Sequence, residues 1–170
     1  GSEEAARRAL CERYDRKSYY LASKLNAGDF CCKSEQEAKD EIRRTLERTG
    51  AEYIDFYLLH GLDPGNISRY EEYHLWDYVK ELKKQGLIKH YGFSFHDTPE
   101  VLEKLFTDHP DAEFVQLQIN YADWEDAAVQ SKGVYGVAEK FDKPVIVMEP
   151  VKGGSLVNLP DNADKILRDL

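Results

Sequence analysis

Five residues whose side chains can move a proton or hydrogen-bond a ligand each fall at or near the carboxyl end of a short apolar run. A segment with helical spacing follows each of these runs. The five residues are Lys24, His60, Ser94, Gln116 and Glu149. In a sheet of parallel strands such ends converge on one face, where folds of this type carry their chemistry. The chain is therefore predicted to be part of an enzyme.

The elements that must position these residues alternate regularly along the chain. Strand beginnings recur roughly every 25 to 35 residues, which is the length of one strand with its crossover helix. The predicted strands cover residues 18–25, 53–59, 88–94, 114–119 and 145–148. The predicted helices cover residues 3–14, 34–50, 75–82, 98–106 and 129–138, with a short helical tail at 162–170. This alternation predicts an α/β fold with parallel strands.

Two architectures fit five strand–helix units. One is a complete doubly wound domain of the flavodoxin type, and the other is part of a (β/α)8 barrel, which typically needs about 250 residues. No predicted strand runs into a glycine-rich or Ser/Thr-rich phosphate loop, and the chain starts in one helix and stops in another. We therefore expect a single partial TIM-barrel domain over residues 1–170, with about five parallel strand–helix units and without the first strands and the last one.

The composition narrows the classes of partner. The chain has 32 Asp and Glu residues against 23 Lys and Arg, and an acidic protein repels phosphate backbones and anionic lipid, so neither nucleic acid nor a membrane is expected. No apolar stretch approaches the roughly 20 residues of a bilayer span, and no signal-peptide profile opens the chain. The three cysteines lack the C-x-x-C spacing of a zinc site, so no metal site is expected and a cytoplasmic location is predicted.

Four motifs in the chain resemble those of the aldo-keto reductases, barrel enzymes that reduce carbonyls with NADPH or NADH. They are residues 21–24 (LASK), 53–60 (YIDFYLLH), 88–94 (IKHYGFS) and 145–150 (VIVMEP). The second motif is the most specific. The sequence at residues 114–121 and 149–154 is most similar to a bacterial branch of this family that often carries an iron–sulfur segment after the barrel. The resemblance implies an iron–sulfur cluster as a possible cofactor beyond residue 170 of an intact protein.

The resemblance also implies catalytic roles. In the family a tyrosine gives its proton to the carbonyl oxygen while a hydride reaches the carbon, a neighbouring ammonium held by an aspartate acidifies that phenol, and a histidine hydrogen-bonds the carbonyl. Lys24 matches the ammonium and His60 the histidine. The tyrosine and aspartate are expected upstream of Gly1, because residues 1–3 resemble the end of the stretch that follows them. We therefore expect the 170-residue chain to be inactive by itself.

For the cofactor, the resemblance implies that Ser94 and Gln116 hydrogen-bond the nicotinamide carboxamide. It further implies that the segment from Met148 to Gly154 lines the nicotinamide and pyrophosphate, through Met148, Glu149, Val151 and Gly153. NADPH and NADH both remain open, and the expected substrate is a small aldehyde or ketone. The asparagine that many family members carry after the serine is replaced here by Phe95.

Simpler interpretations exist for the same residues. A lysine that ends a strand is usually a solvated charge, and a histidine in phase with apolar strand residues can be a hydrogen-bonded core residue. Two other classes of function also fit the sequence. One is a complete five-stranded binding domain without catalysis, and the other is an interaction module whose open sheet edge pairs with a second chain. The oligomeric state separates these hypotheses, and the sequence leaves it open.

Overall fold

The elements alternate between strands and helices along the whole chain in this computed structural model, which describes residues 1–28 and 30–169. The strands are Ala22–Leu25 (β1), Ile54–Leu62 (β2), Ile88–Phe95 (β3), Phe114–Gln118 (β4) and Val145–Met148 (β5). The α-helices are Ser2–Ala6 (α1), Glu35–Lys39 (α2), Glu41–Thr49 (α3), Ile67–Glu72 (α4), Leu75–Lys84 (α5), Pro99–Asp108 (α6), Ser131–Lys140 (α7) and Asp161–Arg168 (α8). Shorter helical turns cover Arg7–Cys11, Arg16–Ser18 and Lys152–Gly154.

The five strands form one sheet in the order β1-β2-β3-β4-β5, which is also their order in the chain. All four neighbouring pairs are parallel. This confirms the predicted α/β fold with five parallel strands. Each crossover carries helix, as a parallel sheet requires, and α3, α5 and α7 contact β1, β3 and β4 respectively.

Several predicted boundaries differ from the structure. The strand predicted for residues 18–25 begins only at Ala22, because Arg16–Ser18 form a helical turn in which the Asp15 carboxylate accepts from the Lys17 amide. The helix predicted for residues 34–50 is divided at Asp40, whose ψ of −11° interrupts the α-helical ladder. Its end at Gly50 is as predicted, with the glycine in the left-handed conformation at φ 66°.

One helix start agrees with the prediction and another is corrected. The helix predicted to carry Leu75 starts at that residue, directly after His74, whose φ of 52° separates it from α4. The helix predicted from residue 129 starts at Ser131, after Gln130 at φ 53°. Leu170, the last residue of the predicted tail, lies outside the described residues.

The two faces of the sheet differ in what covers them. Leu25, Leu59, Phe93 and Leu117 belong to the main hydrophobic core, together with buried residues of the helices. Because side chains alternate along a strand, the residues between them point to the opposite face. We call that opposite face the site face. It carries Ala22, Lys24, Phe56, Leu58, His60, His90, Gly92, Ser94, Phe114, Gln116, Gln118, Ile146 and Met148, of which Leu58, Gly92, Ser94 and Phe114 are buried.

A bulge in β2 directly after His60 returns the end of the strand to the core. Leu59 pairs with Phe93 and Leu62 pairs with Phe95, so β2 has one more residue than β3 over this interval. Gly61 provides the extra residue in the left-handed conformation, at φ 61°. Without the bulge Leu62 would point to the site face, whereas it is fully buried in the core.

An ion pair fixes the amino-terminal end of β2. The Asp55 carboxylate lies 2.5 Å from the Arg16 guanidinium and accepts from the backbone amide of Leu21 at 2.8 Å. Arg16 also donates to the carbonyl of Tyr53 at 2.9 Å and lies over its ring, 3.9 Å from the centroid. Asp55 therefore has a structural role, at the end of the strand opposite to His60.

Candidate active site

Four of the predicted site residues occupy neighbouring positions on the site face. Ser94 pairs with Gln116 across β3 and β4. His60 lies at the bulge opposite Ser94, and Lys24 pairs with Leu58 one level lower on the sheet. The parallel register therefore brings Lys24, His60 and Ser94 from three separate strands onto one patch of surface.

Lys24 holds an ammonium without an anionic partner. No ion pair or hydrogen bond of its side chain is formed within residues 1–28 and 30–169. The side chain lines a cleft of about 490 Å³, where the carboxylates of Glu3 and Glu41 are already paired with Arg48. His60, Ser94 and Gln116 do not line this cleft, so it belongs to the β1 edge of the sheet and Lys24 is the residue common to the cleft and the patch.

The His60 imidazole is half-buried and electrostatically coupled to that ammonium. Burial lowers its pKa from the ordinary value of 6.5, and the positive charges of Lys24 and His96 lower it further. All three effects favour the neutral ring at pH 7. Its Nδ1 lies 3.1 Å from the side-chain amide nitrogen of Asn26.

Ser94 and Gln116 present polar groups beside the histidine. The buried Ser94 hydroxyl accepts from the backbone amide of Gly61 at 2.7 Å, which leaves its own proton to donate. Gln116 is partly exposed, and its amide makes no hydrogen bond within the described part of the chain. One hydroxyl donor and one free carboxamide therefore lie side by side.

The residues predicted after the fifth strand lie at the opposite side of the sheet from Lys24, since β1 and β5 are the outermost strands. Met148 ends β5 beside Gln118 and is partly exposed. Glu149 is exposed and has a left-handed backbone at φ 53°. Val151 is also exposed, and Gly153 lies in the following helical turn at φ 63°.

A buried carboxylate links the loops after β4 and β5. The solvent-inaccessible Asp123 side chain accepts from Gln118 Nε2 at 2.8 Å and from Asn120 Nδ2 at 2.7 Å, and it pairs with the Lys152 ammonium. Asn120 also donates to the carbonyl of Glu149 at 3.2 Å. The ion pair with Lys152, followed by the two amide donors, lowers the pKa of Asp123 to about 2. We call this group of four side chains the Asp123 clamp.

The tyrosine that hydrogen-bonds the backbone of His60 is unsuited to donate a proton. The Tyr70 hydroxyl donates to the backbone carbonyl of His60 at 2.7 Å and accepts from the Ala27 amide at 3.2 Å. Burial raises its pKa to about 12. Tyr70 is also part of the hydrophobic core, so its hydroxyl fixes the backbone behind the site.

Asn26 and Asp123 were not predicted from the sequence. Asn26 follows Lys24 by two residues in a loop, and Asp123 lies in a polar loop among other acidic residues. The one sequence signal for Asn26 is the Gly at position 28, which suits a turn closed by an asparagine side chain. No local pattern distinguishes Asp123 from Asp126, because its partners come from distant elements.

The described residues hold neither a metal-binding cluster nor a helix that could span a membrane. No group of three or more His, Cys, Asp or Glu side chains in residues 1–28 and 30–169 is arranged to hold a metal ion. None of the helices in that part of the chain has the length and apolar character needed to cross a membrane.

Comparison with known proteins identifies relatives of the whole segment. The model of the Aldo/keto reductase family matches residues 1–168. An aldo-keto reductase of Mycolicibacterium vanbaalenii is 34% identical over 98 residues, which cover 56% of this chain and 33% of that protein. The match to this relative thus spans about a third of its length.

Solved structures share the fold at lower identity. A thermostable aldo-keto reductase crystallised with the inhibitor epalrestat superposes with a TM-score of 0.75 at 21% identity, over 99% of this chain and 56% of that one. An aldo/keto reductase of Klebsiella pneumoniae, crystallised with NADP and acetate, superposes with a TM-score of 0.66 at 22% identity, over 92% of this chain and 51% of that one. The five-stranded sheet therefore matches about half of each of these structures.

Proposed function

The chain belongs to the aldo/keto reductase family, whose model matches residues 1–168, and from that premise we propose that it carries part of the site of an NAD(P)H-dependent reductase of aldehydes or ketones. The observation that carries the proposal is the convergence of Lys24, His60, Ser94 and Gln116 on one patch of the site face. Within residues 1–28 and 30–169 the Lys24 ammonium has no anionic partner and the Gln116 amide makes no hydrogen bond, so both groups can contact a ligand.

In this proposal His60 binds the carbonyl oxygen of the substrate. A neutral imidazole can donate one hydrogen bond to that oxygen, and such a bond strengthens as negative charge develops there. The lowered pKa of His60 keeps the ring in the required neutral form at pH 7. Lys24 contributes a positive charge beside the same oxygen, which also favours ionisation of a neighbouring phenol.

The residues beside His60 fit a nicotinamide cofactor. A carboxamide offers one acceptor oxygen and two donor hydrogens, and the Ser94 hydroxyl and Gln116 amide supply the complementary groups. Met148 can cover the nicotinamide ring with apolar contacts of its polarizable side chain. The chain continues from Met148 into the turn at Val151 and Gly153, which would line the cofactor beyond the nicotinamide. A bound nicotinamide would supply the hydride to the carbonyl carbon. The Klebsiella relative was crystallised with NADP, which supports this choice of cofactor.

The proton donor of the reaction lies outside residues 1–170 in this proposal. No tyrosine hydroxyl hydrogen-bonds the side chain of Lys24 or His60 in the described part of the chain, and Tyr70 is committed to backbone groups. We therefore expect the 170-residue chain alone to bind a nicotinamide cofactor without reducing carbonyls.

The test is a titration of the ¹⁵N-labelled 170-residue chain with NADPH and with NADH, followed by NMR. We expect the backbone amide signals of Ser94 and Gln116 and the side-chain amide signal of Gln116 to shift, and adenosine diphosphate at the same concentration to leave them unchanged. Gln116→Ala should weaken the response. Gln85→Ala, an exposed glutamine at the end of α5, is the matched control and should not.

Two results would contradict the proposal at different points. Saturation with either cofactor without a shift at Ser94 and Gln116 would contradict the assigned cofactor site. Oxidation of NADPH by the 170-residue chain in the presence of an aldehyde would contradict the external proton donor, while leaving the cofactor site in place.

A further inference from the structure

We propose that Asn26 is a positioning residue that fixes the tautomer of His60, so that the ring carries its hydrogen on Nε2. The residue acts through His60 and does not itself touch a substrate. The inference stands on two hydrogen bonds made by one side-chain amide, and these bonds are independent of any ligand.

The first bond fixes the orientation of the amide. The backbone amide of Gly28 donates to Asn26 Oδ1 at 2.8 Å. A backbone N–H can only donate, so the atom that faces it must be the oxygen of the side-chain amide. The two groups form the turn in which an asparagine side chain replaces a backbone carbonyl. The other atom of the side-chain amide, which faces His60, must therefore be the nitrogen Nδ2.

The second bond fixes the proton on the imidazole. Asn26 Nδ2 lies 3.1 Å from His60 Nδ1. An amide NH₂ has no acceptor capacity, so Nδ1 must accept, and a neutral imidazole that accepts at Nδ1 carries its hydrogen at Nε2. Nε2 makes no hydrogen bond within residues 1–28 and 30–169.

The groups around the ring support the neutral form without choosing its tautomer. Lys24 of β1 and His96 beyond β3 are the charged or titratable side chains that act on His60, and both oppose a second proton. The Tyr70 hydroxyl bonds the backbone carbonyl of His60 and makes no hydrogen bond to its ring. Asn26 is therefore the one group in the described part of the chain that bonds to the ring.

The consequence for catalysis rests on the proposed function. A carbonyl oxygen needs a donor, and the ring that Asn26 holds presents N–H at Nε2. The opposite tautomer would present a lone pair at Nε2, which repels a carbonyl oxygen. Asn26 thus decides whether His60 can bind a substrate, although it lies behind the histidine.

The decisive variant is Asn26→Asp, examined by ¹⁵N NMR of the histidine rings in the full 170-residue chain. One carboxylate oxygen can still accept from the Gly28 amide, so the turn is kept. The other oxygen accepts where Nδ2 donated, and the ring must therefore move its hydrogen to Nδ1. At about pH 8, above the ordinary histidine pKa of about 6.5, we expect Nε2 to be protonated in the original chain and Nδ1 in the variant.

The matched control is Asn158→Asp, which makes the same charge change at an exposed position near the carboxyl terminus. It should leave the His60 tautomer and pKa as they are, whereas Asn26→Asp should also raise the pKa of His60. Protonation of Nδ1 in the original chain, or the same tautomer in both Asn26 forms, would overturn the inference. A role of Asn26 in holding the loop alone would produce the latter result.

This measurement is separate from the test of the proposed function. It requires no cofactor, substrate or turnover, so a chain that fails to bind NADPH can still show the tautomer reversal. A chain that binds NADPH while Asn26→Asp leaves the ring unchanged would refute only the role of Asn26.

Discussion

The Lys24 ammonium lowers the pKa of the His60 imidazole, although the two residues belong to different strands. Removal of the charge in Lys24→Met should therefore raise the pKa of His60, because the protonated ring no longer faces a positive neighbour. The measurement is a pH titration of the His60 ring signals by NMR. Lys84→Met, at an exposed site at the end of α5, is the control and should not alter the titration. Equal titration curves in Lys24→Met and the original chain would show that the two side chains do not interact.

The lowered pKa of His60 has a consequence for stability. Because the unfolded chain binds the proton at a higher pH than the folded chain, the free energy of unfolding rises with pH across the interval from the folded pKa up to about 6.5. His60→Gln should remove this part of the slope in urea unfolding measured at a series of pH values. The exposed Gln85 supplies the comparison, and Gln85→Asn should retain the slope. A slope unchanged in His60→Gln would mean that the histidine is not buried in the folded state.

The Asp123 clamp has a stability dependence in a more acidic range. The folded pKa of about 2 lies below the ordinary 3.8, so the stabilisation by the ionised carboxylate is complete above about pH 4 and is lost as the pH falls towards 2. Asp123→Asn places an amide NH₂ against the donors of Gln118, Asn120 and Lys152, and should lower the urea midpoint above pH 4. The difference between the two proteins should shrink as the pH is lowered. Asp142→Asn, at an exposed position, should show no such difference from the original chain. A difference in urea midpoint between Asp123→Asn and the original chain that does not vary with pH would contradict the clamp.

Gly92 should not tolerate a side chain. A Cβ atom at this position would overlap the carbonyl oxygen of Phe114 and lie 2.9 Å from its Cγ. Gly92→Ala should therefore reduce the free energy of unfolding by about 1–3 kcal/mol or more, as overpacking does. Gly136→Ala on the exposed face of α7 meets no atom within 4 Å and should gain up to about 1 kcal/mol from helix propensity. Urea unfolding measures both, and a neutral Gly92→Ala would contradict the close packing of β3 on β4.

The arrangement of the strands followed from local pattern. The short apolar runs between periodic segments predicted all five strands, because the strands of a parallel sheet are typically covered on both faces and read as nearly continuous apolar stretches. The residue types at the strand ends then placed Lys24, His60 and Ser94 on one face. Their roles remain predictions, since nothing in the fold alone distinguishes a catalytic ammonium from an unpaired one.

Interruptions within helical segments were not predictable in the same way. His74 and Gln130 adopt positive φ values that their residue types rarely favour. The turn they permit depends on tertiary contacts of the neighbouring helices and not on their own propensity. The division of the 34–50 helix at Asp40 likewise leaves the apolar spacing intact, so periodicity does not report it.

The hydrogen-bond networks were the least predictable part of the site. Asn26 becomes informative only when the turn at Gly28 fixes its amide opposite His60. Asp123 acquires its partners from a strand end, its own loop and the turn after β5. Such bonds join residues that are distant in the chain, and no local spacing encodes them.

The strands lie in the sheet in the same order as in the chain, and this order affects how the site can change during evolution. Each strand with its following helix is one contiguous block, and each of the first four blocks delivers a separate polar group to the shared patch. Exchange of a single block by recombination therefore replaces one functional group while its neighbours are inherited intact. A one-residue deletion in β3 before Phe93, in contrast, would turn Ser94 inward to the helices and bring Phe93 and Phe95 to the site face.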